Sequence, residues 1–293
     1  MNTFEAVVRG RHRLSQHLVT VTLDVQGDFA GTDVPDEYVR VMIPPPGADL
    51  VLPTIDERFR TTYPEGAVEP AARVYTISDL RVVDGRTQID LDIAVHASGV
   101  GSDWARTCEP GDRVGLVEPH GLYAAPPEVP WQLLAADITG LPALARILRG
   151  LDPGQRVEAV VVLTDEADRI ALPSAADVEV RWVLVDDEAL ISEALSAAVL
   201  EADLSDGDRY VWLAGEARAS RAVRKHLRRV LGWPQSDFYT CGYWQLDAEK
   251  WNARYEQVSE QVISEAVAAQ ERAGDDEGAY LDALEDIYDR AGL

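Results

Sequence analysis

Trp131-Gln132-Leu133-Leu134-Ala135-Ala136-Asp137-Ile138-Thr139-Gly140-Leu141-Pro142 is the stretch on which the fold turns. Residues 131–136 read as an apolar strand, and Leu141, Leu144, Leu148 and Leu151 then recur at helical spacing. The residues between them hold the place of the phosphate-binding turn in dinucleotide folds, although the Gly-x-Gly-x-x-Gly spacing is absent. A plain strand-to-helix turn capped by Asp137 or Thr139 accounts for the same residues. Downstream, strands are expected over 157–163, 178–185 and 210–214, with helices over 189–200 and 217–231. Strands alternating with helices imply a parallel sheet with right-handed crossovers, a small Rossmann-like α/β domain.

Upstream the rhythm is different. Ile89, Leu91, Ile93 and Val95 alternate with Gln88, Asp90, Asp92 and Ala94, the two-residue period of a strand with one buried face. Val39, Val41 and Ile43 alternate before Pro44-Pro45-Pro46, and 18–25 is another β-branched run. Short strands punctuated by Gly and Pro predict a β-barrel or sandwich up to about Val117. The Pro/Gly-bearing stretch 44–72 is long enough to be read as a covering loop. Ala124-Ala125-Pro126-Pro127 marks the boundary, giving a β-barrel domain over 1–127 and an α/β domain over 128–244. Residues 245–293 form an acidic helical extension with Trp251, Tyr255, Val258 and Val262 along one face and Tyr280, Leu281, Leu284, Ile287 and Tyr288 along another. That extension docks on its own chain or on a second subunit, so monomer and homodimer both stand.

The 51 acidic and 27 basic side chains give a formal charge of -24, which disfavours nucleic acid and anionic membrane surfaces as partners. No apolar run is long enough for a membrane span and the first residues show no signal-peptide core, so the protein is expected in the cytoplasm. Cys108 and Cys241 stand far apart without metal-ligand spacing and read as ordinary thiols.

Four stretches carry candidate chemistry. Arg73-Val74-Tyr75-Thr76 ends a predicted strand and offers a cation, a flat ring and a hydroxyl; Tyr75 in the core and Arg73 in an ion pair is the alternative. His96 through Ala105 is a strand end, a glycine-bearing turn at Gly99 and Gly101, and a helix opened by Ser102 or Asp103 with Trp104 close behind. Its free amides suit a pyrophosphate, or it is simply a capped helix anchored by Trp104. The turn at 137–142 is the third. The fourth is Gly215-Glu216 followed by Arg221, Arg224, Lys225 and Arg228 on one helical face, either a site for an anionic substrate or a face paired with the acidic extension.

Taken together, these runs, with Pro110-Gly111-Asp112-Arg113 and Cys241-Gly242-Tyr243-Trp244, resemble the siderophore-interacting proteins, FAD-dependent ferric-siderophore reductases related to ferredoxin reductases. The resemblance implies that Arg73, Tyr75 and Thr76 hold the isoalloxazine and phosphate region of FAD and that His96, Gly101, Ser102 and Trp104 bracket the remainder. It puts Asp137, Thr139, Pro142, Gly215 and Glu216 on the nicotinamide side and Tyr243 and Trp244 at the flavin edge. The implied reaction is hydride transfer from NADH or NADPH to FAD, then single-electron delivery to the Fe(III) of a ferric siderophore, with ferredoxin as another possible donor and no catalytic acid, base or nucleophile. Ser78 stands where a second Arg is usual, and Ala136 and Ile138 stand where Gly and Glu are common. Asp165, Glu166 and Asp168 fall where an adenine ribose would lie, and carboxylates there would favour NADH.

Overall fold

Alternation with a two-residue period closes the first half of the chain on itself. In the computed structural model, which describes residues 1–56, 60–204, 207–274 and 276–293, eight strands and one helix occupy this half. They are β1 (Thr3–Arg13), β2 (Leu18–Val25), β3 (Tyr38–Ile43), β4 (Thr54–Ile55), β5 (Thr61–Thr62), β6 (Ala71–Val83), β7 (Arg86–Ala94), α1 (Val100–Thr107) and β8 (Arg113–Val117). Six of the strands form a closed antiparallel barrel in the order β1-β2-β7-β6-β3-β8. Ile89, Leu91 and Ile93 point inward and are wholly buried beside Val21, Leu23, Val39 and Leu116. Their polar alternates pair across the outer face, Thr20 with Asp92 and Thr22 with Asp90, each at 2.6 Å. The expected covering loop contains the small β4–β5 ribbon. Its Leu52 lies beside β8 at Gly115 and its Pro53 carbonyl meets Thr3, while residues 57–59 lie outside the described residues.

The second half contains β9 (Trp131–Asp137), α2 (Leu141–Gly150), β10 (Arg156–Leu163), β11 (Asp177–Leu184), α3 (Ile191–Leu200), β12 (Arg209–Glu216), α4 (Ala217–Lys225) and β13 (Phe238–Trp244). All five strands run parallel in the order β11-β10-β9-β12-β13, so the order reverses between β9 and β12. In open α/β sheets ligands bind outside the strand ends at such a switch point. Three details depart from the sequence reading. The last strand, β13, had no counterpart in it. The helix predicted from Ala189 opens at Ile191, because 188–190 winds as a tighter turn capped by Asp187. The helix predicted to Leu231 relaxes into a π turn after Lys225.

The barrel and sheet share a polar seam. Asp36, buried on the barrel side, accepts from the Leu122 and Tyr123 amides at 2.7 and 2.8 Å and from Trp212 Nε1 at 3.2 Å. Arg146 of α2 donates to the Ile77 carbonyl and to Glu37, both at 2.7 Å. Beyond β13, α5 (Ala248–Ala273) and α6 (Glu277–Ala291) pack on each other through Val262, Ala269 and Ile287. Trp251 stacks on Tyr255 at 5.2 Å, so the predicted aromatic stripe is the inner face of this pair and docks within the chain.

Candidate functional site

Strand β6 and the first turn of α1 meet at one point. A Cβ added to Gly101 would lie 1.9 Å from the Tyr75 hydroxyl and 3.6 Å from Arg73 Cγ, so the helix backbone approaches this ring as only glycine permits. Gly99 enters the helix at φ 128, a left-handed conformation that also suits glycine. Arg73 makes no salt bridge among the described residues; its guanidinium reaches only the Ala72 carbonyl at 2.7 Å. In a chain this acidic, that leaves a free cation beside a helix N-terminus. Thr76 is buried, and among the described residues its Oγ1 has only the nearby Tyr243 hydroxyl to turn to, short of a well-formed hydrogen bond. Burial pushes Tyr75 up to about 12, so it is a neutral donor at any physiological pH.

The edge of the parallel sheet comes against this strand. Tyr239, Cys241 and Tyr243 of β13 lie among Asp36, Tyr38 and Thr76, and burial raises all three, pushing the Cys241 thiol up to about 11, which favours the neutral thiol at physiological pH. Tyr38, Tyr239 and Asp36 were not foreseen as part of this region. For the two tyrosines the signal was the aromatic content of two short strands, which reads as core until the strands are placed; Asp36 gave none. Asp137 and Glu216, at the ends of β9 and β12, are wholly buried and their carboxylates are in use. Asp137 accepts from the Thr139 amide and hydroxyl at 2.8 and 2.6 Å and from Trp244 Nε1 at 2.7 Å, which fixes Trp244 across the sheet edge. Burial raises the Asp137 carboxyl above the usual range against those three hydrogen bonds. Glu216 caps α4 through the Arg218 and Ala219 amides and takes the Leu246 amide at 3.1 Å. Gly215 and Gly140 permit the close approach: a Cβ would fall 2.5 Å from Asp137 Oδ2 in the first case and 2.3 Å from the Ala214 carbonyl oxygen in the second.

Several expectations need correction. Ser102 does not open α1, which starts at Val100; its hydroxyl accepts the His96 amide at 3.1 Å and pins the preceding loop. Trp104 belongs to the barrel core, and the exposed His96 ring sits against Gly99. Ser78 is buried, donating to the Asp90 carbonyl at 3.2 Å, and its own carbonyl takes Arg149. Asp168 reads no ribose: it is fully buried and holds the turn between β1 and β2 through Ser15 and His17. Asp165 caps the turn that contains Glu166, which pairs with Arg169 at 3.2 Å. The basic face of α4 is not open to substrate. Arg224 is paired with Asp282 and Glu285, Arg228 with Asp282 at 2.9 Å and Lys225 with Asp289 at 3.2 Å, all on α6. Arg221 lies near Tyr288 of that helix.

A free arginine, helix amides and a neutral ring in one place, with a buried hydroxyl next along the same strand, fit FAD, and the sheet beside them has its switch point between β9 and β12, one strand in from the β13 edge. These features define a two-domain flavoprotein oxidoreductase, an FAD-holding barrel joined to a nicotinamide-type domain. Residues 7–123 match the siderophore-interacting FAD-binding domain and residues 129–247 the siderophore-interacting protein model. A Mycobacterium tuberculosis protein described as uncharacterized is 31% identical over 265 residues, covering 84% of this chain and 90% of its own. The NADPH-dependent ferric-chelate reductase of Escherichia coli (strain K12) is 29% identical over 213 residues, 71% of this chain and 79% of the relative. A siderophore utilization protein from T. fusca superposes with a TM-score of 0.71 at 28% identity, over 84% of this chain and 94% of that one. The chain belongs to the siderophore-interacting protein family.

Proposed function

We propose that this chain is an FAD-dependent ferric-siderophore reductase that takes electrons from NADH or NADPH and releases Fe(II) from a ferric siderophore. The observation that carries the reading is the meeting of Arg73 and Tyr75 with the α1 N-terminus at Gly101, with the buried Thr76 hydroxyl next along the same strand. Arg73 and the first amides of α1 would hold the cofactor's phosphates, and Tyr75 and Thr76 would hold its ring system. Bound there, FAD splits a two-electron donor into one-electron steps. Trp244, held by Asp137, and Tyr243 would exclude water from the bound cofactor. Iron in a chelate of hard oxygen donors is held far less tightly once its charge falls, so reduction alone frees the substrate metal. The names of the E. coli relative and of the T. fusca structure support a chelate as substrate.

We divide the chain functionally at 127/128 and 244/245, and place the reaction in the cytoplasm. Among the described residues no helix is long and apolar enough to cross a membrane. The test is a visible spectrum of protein loaded with FAD and freed of excess, followed anaerobically by NADPH or NADH and then a ferric chelate. Flavin bands at roughly 370 and 450 nm should bleach with the nucleotide and return with the chelate. Protein that retains no flavin would overturn the assignment.

A further inference from the structure

The barrel carries a second cationic concavity that the flavin reading leaves unused. A pocket of about 460 Å³ opens where the end of β1, the start of β2, the end of β7 and the last turn of α1 converge. Arg11, His12, Arg13, His17 and Arg106 line it. Three other arginines of the barrel are matched by acids, Arg9 by Asp24, Arg81 by Asp90 and Arg113 by Glu5. Among the described residues, Arg11 and Arg13 enter no salt bridge. Arg11 donates to the Cys108 carbonyl at 2.9 Å, and Arg13 to the Ser15 and Gln16 carbonyls at 3.0 and 2.7 Å. Arg106 donates to the His96 carbonyl at 2.5 Å, and among the described residues its nearest carboxylate is Asp103 at 3.8 Å. Carbonyl oxygens fix guanidinium groups in place without cancelling their charge, which leaves forked donors set for an anion.

The pocket's far wall points to the kind of anion. His17 Nδ1 lies 2.7 Å from Asp168 Oδ2, and Asp168 also takes the His17 amide at 2.6 Å. Asp168 follows β10, the second strand of the parallel sheet, and the end of that strand is where the adenosine ribose of a dinucleotide lies in such folds. The carboxylate whose position suits a free 2′-hydroxyl is instead turned into the barrel, where it orients one wall of a cationic pocket. We infer that this pocket binds a phosphate monoester, the 2′-phosphate of NADPH, so that the barrel rather than the α/β domain selects the donor. The inference rests on the reductase reading for the donor but not for the anion.

Calorimetric titration of the FAD-supplied full chain with 2′-AMP and with inorganic phosphate tests the site, in the wild type, Arg13→Gln and the charge-keeping Arg13→Lys. The ratio of kcat/KM for NADPH to that for NADH tests the source. The expected result is that Arg13→Gln weakens 2′-AMP by about tenfold and lowers the ratio by a similar factor, while Arg13→Lys keeps most of both. Loss of phosphate and 2′-AMP binding together with an unchanged ratio would overturn the donor assignment in favour of a free-phosphate site. Equal affinities in all three proteins would overturn the site itself. Protein that binds 2′-AMP through Arg13 but whose flavin neither nucleotide bleaches would refute the reductase reading and leave the site standing.

Discussion

Thr76 is a residue whose apo and holo energetics should move in opposite directions. A buried hydroxyl without a partner costs about 1–3 kcal/mol, and removing it with its shape preserved is neutral or stabilising. Thr76→Val should therefore leave the flavin-free protein as stable as wild type or more so, and weaken FAD by about tenfold. Thermal melts with and without FAD read both quantities; a flavin-free variant that melts lower would mean the hydroxyl is already satisfied within the chain. At Gly101 the argument is steric. A methyl group there meets the Tyr75 hydroxyl at 1.9 Å, whereas the next ring atom is 3.2 Å away. Gly101→Ala should lose flavin, and Tyr75→Phe added to it should recover part of the loss in a fluorescence titration. No recovery would place the damage in the α1 backbone instead.

Among the elements, α6 is set apart by how it is held. Arg224 of α4 is only 6% exposed and is surrounded by Asp282, Glu285, the Gly278 carbonyl and Gln235. Taking away that cation leaves acids facing each other at a half-buried interface. Arg224→Met should cost about 2–3 kcal/mol in denaturant unfolding and raise hydrogen exchange along α6. Lys225→Ala breaks an exposed pair and should cost under about 0.5 kcal/mol; the reverse order would remove the ionic account of docking. This is also where the sequence was least legible. The spacing of Arg221, Arg224, Lys225 and Arg228 specifies one helical face, but what covers a face depends on where a helix fifty residues later returns. Asp168 fails the same way: its distance from β10 is local, whereas its partners Ser15 and His17 are supplied by the barrel. By contrast, the alternation of Ile89, Leu91 and Ile93 and the strand-to-helix step at 131–148 are local periodicities fixed by backbone geometry, and both stand in the structure as read. β13 escaped because its β-prone residues are interrupted by Gly242, whose missing side chain makes room for Ala217.

On the scale of the whole molecule, the excess of carboxylates governs stability against pH. Burial raises Asp92, Asp137 and Glu285 above their ordinary values. A carboxyl raised on folding binds its proton more tightly in the native state than in the unfolded chain, where its pKa is about 4. Its contribution to stability is therefore fully present below the unfolded value and is lost as pH rises through the folded one. Acidification from neutral pH should thus first stabilise this protein, and easing of the self-repulsion from a formal charge of -24 acts in the same direction. The melting temperature is expected to climb between about pH 7 and pH 5, before general acid unfolding sets in. Asp92→Asn separates the two causes, because it deletes one buried titration while changing the overall charge by a single unit in 51 acidic groups. If burial of Asp92 matters, the slope of melting temperature against pH flattens in the variant; if the slope is unchanged, Asp92 contributes nothing to it, and added salt at pH 7 then reads how much of the gain is long-range repulsion.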